Sequence, residues 1–106
     1  MPDPWKGYRR KWNFDHPRSA LKAHLKYRYG LAIEDYEAMN DLQEGRCAIC
    51  RNKEEKRDRL SVDHDHITGA VRGLLCGTCN TALGSMKDDP EIFERAAKYL
   101  RGEPCI

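Results

Sequence analysis

Two C-x-x-C pairs, Cys47/Cys50 and Cys76/Cys79, constrain this 106-residue chain more than any other feature. Residues 51–75 separate them, and two such pairs at this spacing suit one tetrahedral, all-thiolate Zn2+ site. A zinc ion there joins two segments that have too little apolar surface to hold each other. Structural metals are a common supplement to a core this small. A four-thiolate site has no open coordination position, so the expected zinc is structural and not the catalyst. A redox dithiol is the minor alternative. The fifth cysteine, Cys105, has no such partner and is read as a free thiol.

Between the pairs lies Val62-Asp63-His64-Asp65-His66, and Asn80 directly follows Cys79. A structural zinc site needs none of Asp63, His64 or Asn80. A carboxylate and an amide oxygen suit a hard magnesium ion, with waters and phosphate completing its octahedron. His64 titrates near neutrality and can take a proton from water. Singly, each residue has an ordinary explanation: Asp63 and Asp65 can cap a turn, and Asn80 can cap a helix. Jointly, beside a zinc clasp, they read as a magnesium-dependent phosphodiesterase site.

Local patterns place these residues. Leu60-Ser61-Val62 alternates as a short strand, Thr68-Gly69 signals a turn, and residues 71–75 supply the returning strand. The second cysteine pair opens a helix through Asn80 and Leu83. Upstream, a helix is expected from Ser19, with Leu21, Leu25 and Tyr29 in one stripe and Gly30 as its stop. A second helix over 33–44 carries Tyr36, Met39 and Leu42 on one face and stops at Gly45. Asp89-Pro90-Glu91 is a strong helix start. Ile92, Phe93, Ala96, Ala97 and Leu100 form that helix's expected buried face, with Gly102 and Pro104 as its end. His16 and His24 lack metal-like partners in sequence and read as surface or core-edge residues. The expected fold is α+β, a zinc-clasped ββα core over about 46–88 with N-terminal helices and a C-terminal helix. One domain, 19–106, follows a basic and aromatic arm over 1–18.

The net charge of +2 hides segregation: residues 1–28 carry +6, residues 29–45 carry −5 and residues 46–60 carry +3. Positive clusters flanking a site suit a polyanionic substrate, although solvated surface explains charge alone equally well. In the arm, Lys6, Arg9, Arg10 and Lys11 interleave with Trp5, Tyr8 and Trp12. The cations are expected on phosphates and the tryptophans against the core. No stretch of about 20 apolar residues exists, so no membrane span is expected. The first residues lack the form of a secretory signal. The expected location is therefore intracellular, where thiols stay reduced.

Cys47-x-x-Cys50, Val62-Asp63-His64-Asp65-His66, Val71-Arg72-Gly73-Leu74-Leu75-Cys76-x-x-Cys79-Asn80 and Leu83-Gly84 resemble the phage recombination endonuclease VII family. That family lies within the HNH (ββα-metal) nucleases. The resemblance is dense over 47–84 and looser from Tyr29 to Gly45. It implies that Cys47, Cys50, Cys76 and Cys79 bind zinc and that Asp63 and Asn80 hold a catalytic Mg2+ or Mn2+. It makes His64 the general base and sets His66 against the scissile phosphate. Arg72 reads as a phosphate clamp or, equally, as part of a structural ion pair. The activity implied is metal-dependent DNA cleavage leaving 5′-phosphate and 3′-hydroxyl ends. Junction-resolving members continue into a long dimerising region, whereas 26 residues follow Asn80 here. With the last helix expected to spend its apolar face on the local core, a monomeric nicking enzyme is expected, aided by phage or host proteins. The alternatives are a non-catalytic zinc-binding DNA-recognition module, which leaves Asp63, His64 and Asn80 idle, and a dimeric Holliday-junction resolvase.

Overall fold

Helix boundaries in this chain follow from proline at the starts and left-handed residues at the ends. The computed structural model describes residues 15–55 and 57–104. Helix α1 spans Pro17–Tyr29. Pro17 occupies its first turn, where a preset φ and a missing N–H cost nothing, so the helix starts before Ser19, the expected cap. Gly30, at φ 63°, ends it in the left-handed region that glycine adopts without a Cβ clash. Helix α2 spans Ile33–Leu42 with Glu34 and Asp35 in its first turn, where the helix dipole favours acids. It stops short of residue 44 because Glu44 (φ 58°) is left-handed. The N–H groups of Glu44 and Gly45 close back on the Asp41 and Asn40 carbonyls. The basic α1 packs on the acidic α2, and Arg18 meets Glu37 at 2.8 Å. That pair is exposed, so it contributes at most about 1 kcal/mol.

Strands β1 (Ser61–His64) and β2 (Val71–Leu75) form an antiparallel hairpin. Val62 pairs with Leu74 and Asp63 with Gly73, but His64 pairs with Val71. Arg72 is therefore the extra residue of a β-bulge, which re-aims its side chain. In the intervening turn, Asp65 Oδ1 accepts the Ile67 and Thr68 N–H groups at 2.8 and 3.0 Å. Helix α3 (Gly77–Ser85) then packs against both strands, and α4 (Pro90–Leu100) follows, capped by Asp89. The described chain is thus α+β, with four helices and a two-stranded sheet.

The core lies between α1, α2 and the hairpin. Leu25, Ile33, Tyr36, Leu60, Val62, Leu74 and Leu75 are buried together with Cys47 and Cys76. Each such aliphatic side chain contributes about 1.5–3 kcal/mol by leaving water. The Tyr36 hydroxyl donates to the Leu60 carbonyl at 2.7 Å, so its burial strands no polar group.

Two expectations about apolar faces fail. Leu42 is 85 % exposed. Helix α4 buries no residue: Ile92, Phe93, Ala96 and Ala97 are half-buried and Leu100 is 83 % exposed. Among the described elements none packs closely on α4. Periodicity shows that a helix has an apolar face but not what covers it, so local packing of this helix no longer argues for a monomer. The arm cations Lys6, Arg9, Arg10 and Lys11, both tryptophans and Cys105 lie outside the described residues. No described helix is long and apolar enough to cross a membrane.

Candidate functional site

The two cysteine pairs reach one point through separate local structures. The first sits in a tight loop closed by the Arg46–Lys53 bridge and by the Cys47 N–H on the Asn52 carbonyl at 2.9 Å. This loop is stitched to the sheet by Ala48 N–H on Leu74 O at 3.1 Å and by Gln43. Gln43 Nε2 donates to the Arg46 and Leu74 carbonyls at 2.7 and 2.9 Å, and its Oε1 accepts the Leu74 N–H at 3.0 Å. The second pair follows β2, where the Cys76 sulfur caps α3 by accepting the Cys79 N–H. Glu54 accepts the Gly77 N–H at 3.1 Å, satisfying another open donor at this helix start.

All four sulfurs lie within 4.8 Å of one another, with Cys50 and Cys76 Sγ 3.7 Å apart. Thiolates at about 2.3 Å from a tetrahedral zinc ion stand about 3.8 Å apart. The donor set and its spacing therefore fit zinc, and the four cysteines can clasp one ion. Their titration fits too. Burial pushes the Cys47 thiol up, but backbone N–H groups of the cysteine loops and the Cys79 thiol outweigh it and hold the pKa at about 6. Burial and the neighbouring sulfurs drive Cys79 far above the ordinary thiol range. Crowded sulfurs resist a second negative charge, and a dication removes that repulsion.

The β1 strand carries the next group. Asp63 is buried, at 8 % exposure, and Arg72 holds it with a two-point fork, Nε–Oδ2 at 2.7 Å and Nη2–Oδ1 at 3.1 Å. Of the two readings of Arg72, the ion pair is present. The fork raises the Arg72 pKa further. His64 lies between Tyr29 and His66, with ring centroids 5.5 and 4.8 Å away. His66 Nε2 is 3.6 Å from Asp88 Oδ2, which also accepts from Arg72 Nη2 at 3.2 Å. Asp65 serves the turn, as one of its ordinary readings expected. Asn80 rides on α3 and lines a cleft of about 550 Å³ with His24, Tyr29, Arg57, Arg59 and Ser61. Arg57 and Arg59, offset in part by Asp58, leave this wall net positive, and burial, then Arg59 and Arg28, lowers the His24 pKa.

Can Asp63 and Asn80 take a hard ion? A carboxylate offers about four lone-pair sites, and Arg72 takes two of Asp63's. Among the described residues the Asn80 amide side chain has no hydrogen bond. Oxygen donors with spare capacity suit Mg2+ or Mn2+.

Three participants were not legible as such in the sequence. Tyr29 reads as core stripe, yet it abuts His64. Gln43 carries no motif at all. Asp88 leaves one signal, an acid more than the Asp89 cap requires before Pro90.

The family model for recombination endonuclease VII matches residues 22–102. The Gene 59 protein of Mycobacterium phage D29 is 52 % identical over 79 residues, covering 74 % of this chain and 48 % of that protein. The Gene 59 protein of Mycobacterium phage L5 is 48 % identical over 79 residues, with the same coverage. The chain spans about half the length of these curated relatives. Its cysteine clasp, the hairpin with Asp63 and His64 and the helix bearing Asn80 all fall within the matched stretch, and the chain belongs to the recombination endonuclease VII family.

Proposed function

We propose that this chain is a divalent-metal-dependent DNA endonuclease of the HNH (ββα-metal) type that nicks one strand at a time. The observation that carries the reading is the hairpin–helix unit. One strand end carries Asp63 and His64, the turn returns His66 beside His64, and α3, the helix on which Asn80 lies, packs against both strands. In this reading residues 19–106 are one nuclease domain, and the arm over 1–18 adds phosphate contacts through Lys6, Arg9, Arg10 and Lys11. The Mycobacterium phage relatives support a phage setting inside the host cell.

Asp63 and Asn80 would hold the Mg2+ or Mn2+, which would supply stabilisation of negative charge on phosphorus and on the leaving 3′-oxygen. His64 takes a proton from the attacking water. Its ring is kept in place by Tyr29 and His66, which matters because a base must sit within hydrogen-bond reach of the proton it removes. His66 contacts the scissile phosphate. The cationic wall of Arg57 and Arg59 beside Asn80 suits the strand leading into the site. Cleavage leaves a 5′-phosphate and a 3′-hydroxyl.

Purified, zinc-loaded protein with magnesium should convert supercoiled plasmid to open circles before any linear form appears. His64→Ala should slow this about 10²–10⁴-fold while DNA binding persists. A variant that cuts within a few-fold of the parent removes His64 from the chemistry. Linear product at the first turnover would mean paired sites and end the nicking proposal. A parent that binds DNA but never cuts it would favour the non-catalytic recognition module.

A further inference from the structure

We propose that Asp88 is a positioning residue acting through Arg72, and that the arginine shared between Asp63 and Asp88 governs how tightly Asp63 holds a divalent ion. This rests on the reading of Asp63 as an ion ligand. Three features of the chain converge on that arginine. The β-bulge makes Arg72 the unpaired residue opposite the Asp63–His64 step. Its fork covers both oxygens of a buried carboxylate, while Nη2 already touches Asp88 at 3.2 Å. Asp88 is delivered there at a backbone cost: Lys87 and Asp88 are consecutive left-handed residues, at φ 58° and 55°. A Cβ crowds this conformation, at Lys87 more than at Asp88, since aspartate is among the residues that tolerate it. The N–H groups of Lys87 and Asp88 close on the Gly84 and Leu83 carbonyls at 3.1 and 2.9 Å, a Schellman closure of α3. That closure ties the position of Asp88 to the helix that carries Asn80.

The consequence is electrostatic. A guanidinium and a dication on one carboxylate repel each other at short range. Lone pairs remain on Asp63, but its hold on an ion would strengthen as the guanidinium leans away from it toward Asp88. Asp88 gives the solvent-accessible guanidinium a second carboxylate to turn to, a charge-assisted partner that competes with Asp63 for its N–H groups. His66, 3.6 Å from the same Asp88 oxygen, shares that partner. The contacts link the proposed phosphate-facing histidine to the proposed ion ligand through one acidic side chain. Asp65 and Lys87 are the other charged groups on the adjoining cleft.

The test is Mn2+ binding to zinc-loaded protein, read from the electron paramagnetic resonance of free Mn2+, with no cleavage involved. Four proteins form a cycle: parent, Asp88→Asn, Arg72→Gln and the double variant. Asp63→Asn serves as the control that abolishes binding and leaves the free Mn2+ signal undiminished. Arg72→Gln should bind Mn2+ about tenfold more tightly, because the competing cation is gone, and Asp88→Asn should bind it several-fold to about tenfold more weakly. In the Arg72→Gln background, Asp88→Asn should change affinity less than about twofold, because a residue that acts through a partner loses its effect with that partner. If Asp88→Asn weakens binding equally in both backgrounds, Asp88 is only a nearby charge and the proposal fails. Weaker binding by Arg72→Gln also overturns it. Should Arg72→Gln lose its zinc or its cooperative melt, Arg72→Lys replaces it in the cycle with a smaller gain expected. A parent that binds no Mn2+ refutes the ion-ligand reading of Asp63 itself, and the proposal with it. A parent that binds Mn2+ without the opposed effects refutes the proposal alone.

Discussion

Gln43→Ala should cost this domain about 2–3 kcal/mol without removing any of the four cysteines that can clasp zinc. The side chain makes three hydrogen bonds, to the Arg46 carbonyl and to both backbone groups of Leu74. Leu74 is 0 % exposed, and its N–H and C=O point away from β1 toward residues 43–48. After truncation the Leu74 carbonyl keeps the Ala48 N–H, but the Leu74 N–H is left without a partner and beyond the reach of water. A buried donor stranded in this way costs about 1–3 kcal/mol, and the Arg46 carbonyl adds up to about 1 kcal/mol more. Against a total stability of about 5–15 kcal/mol that is a large fraction. Gln43→Glu sharpens the test, since it keeps an acceptor for Leu74 N–H but turns an oxygen toward two carbonyls. It should be destabilised more at neutral pH than at pH 4, where the carboxyl carries a proton. Urea melts of zinc-saturated protein measure the stability, and metal analysis measures the zinc. Gln43→Ala within about 0.5 kcal/mol of the parent would show that the amide does not brace the cysteine loop against β2.

Other expectations follow from different parts of the molecule. Cys76→Ser should lose stoichiometric zinc and cooperative melting together, because zinc-site energy in small domains is folding energy on the order of 10 kcal/mol; a variant that keeps both would remove Cys76 from the site. The Thr68 N–H, then that of Ile67, holds the Asp65 carboxyl below its ordinary value. A depressed native pKa gives stability that is present above about pH 4 and lost as pH falls through the folded value. The stability gap between parent and Asp65→Ala should therefore shrink in acid, and a gap that grows below pH 4 would contradict the turn contact. DNA binding should weaken with salt by a slope of about −0.9 per phosphate contact in log K against log salt. Deleting residues 1–12 should flatten that slope, and an unchanged slope would leave the arm no part in binding.

Much of this molecule follows from residue chemistry that acts at short range. Cys-x-x-Cys spacing dictates a metal-sized loop because two residues are enough to turn two sulfurs onto one point. Gly30, Pro90 and Asp89 mark helix ends through backbone φ and capping, which need no partner elsewhere. The Asp-His run and Asn80 declare oxygen and imidazole chemistry by type alone, and the hairpin signals on either side order them as strand, turn, strand and helix. What such patterns omit is the identity of contacts between segments. That Arg72 grips Asp63 depends on a one-residue bulge, since in an even ladder its side chain alternates to the other face. Asp88 joins the same network only because two left-handed residues fold it back after α3. Gln43, the brace of the cysteine loop, is invisible to any local rule because its partners lie up to 31 residues away. Helix α4 shows the limit most clearly. Its amphipathic period is written in the residues, while the surface that covers its apolar face is settled by packing, because burial belongs to pairs of elements and not to one.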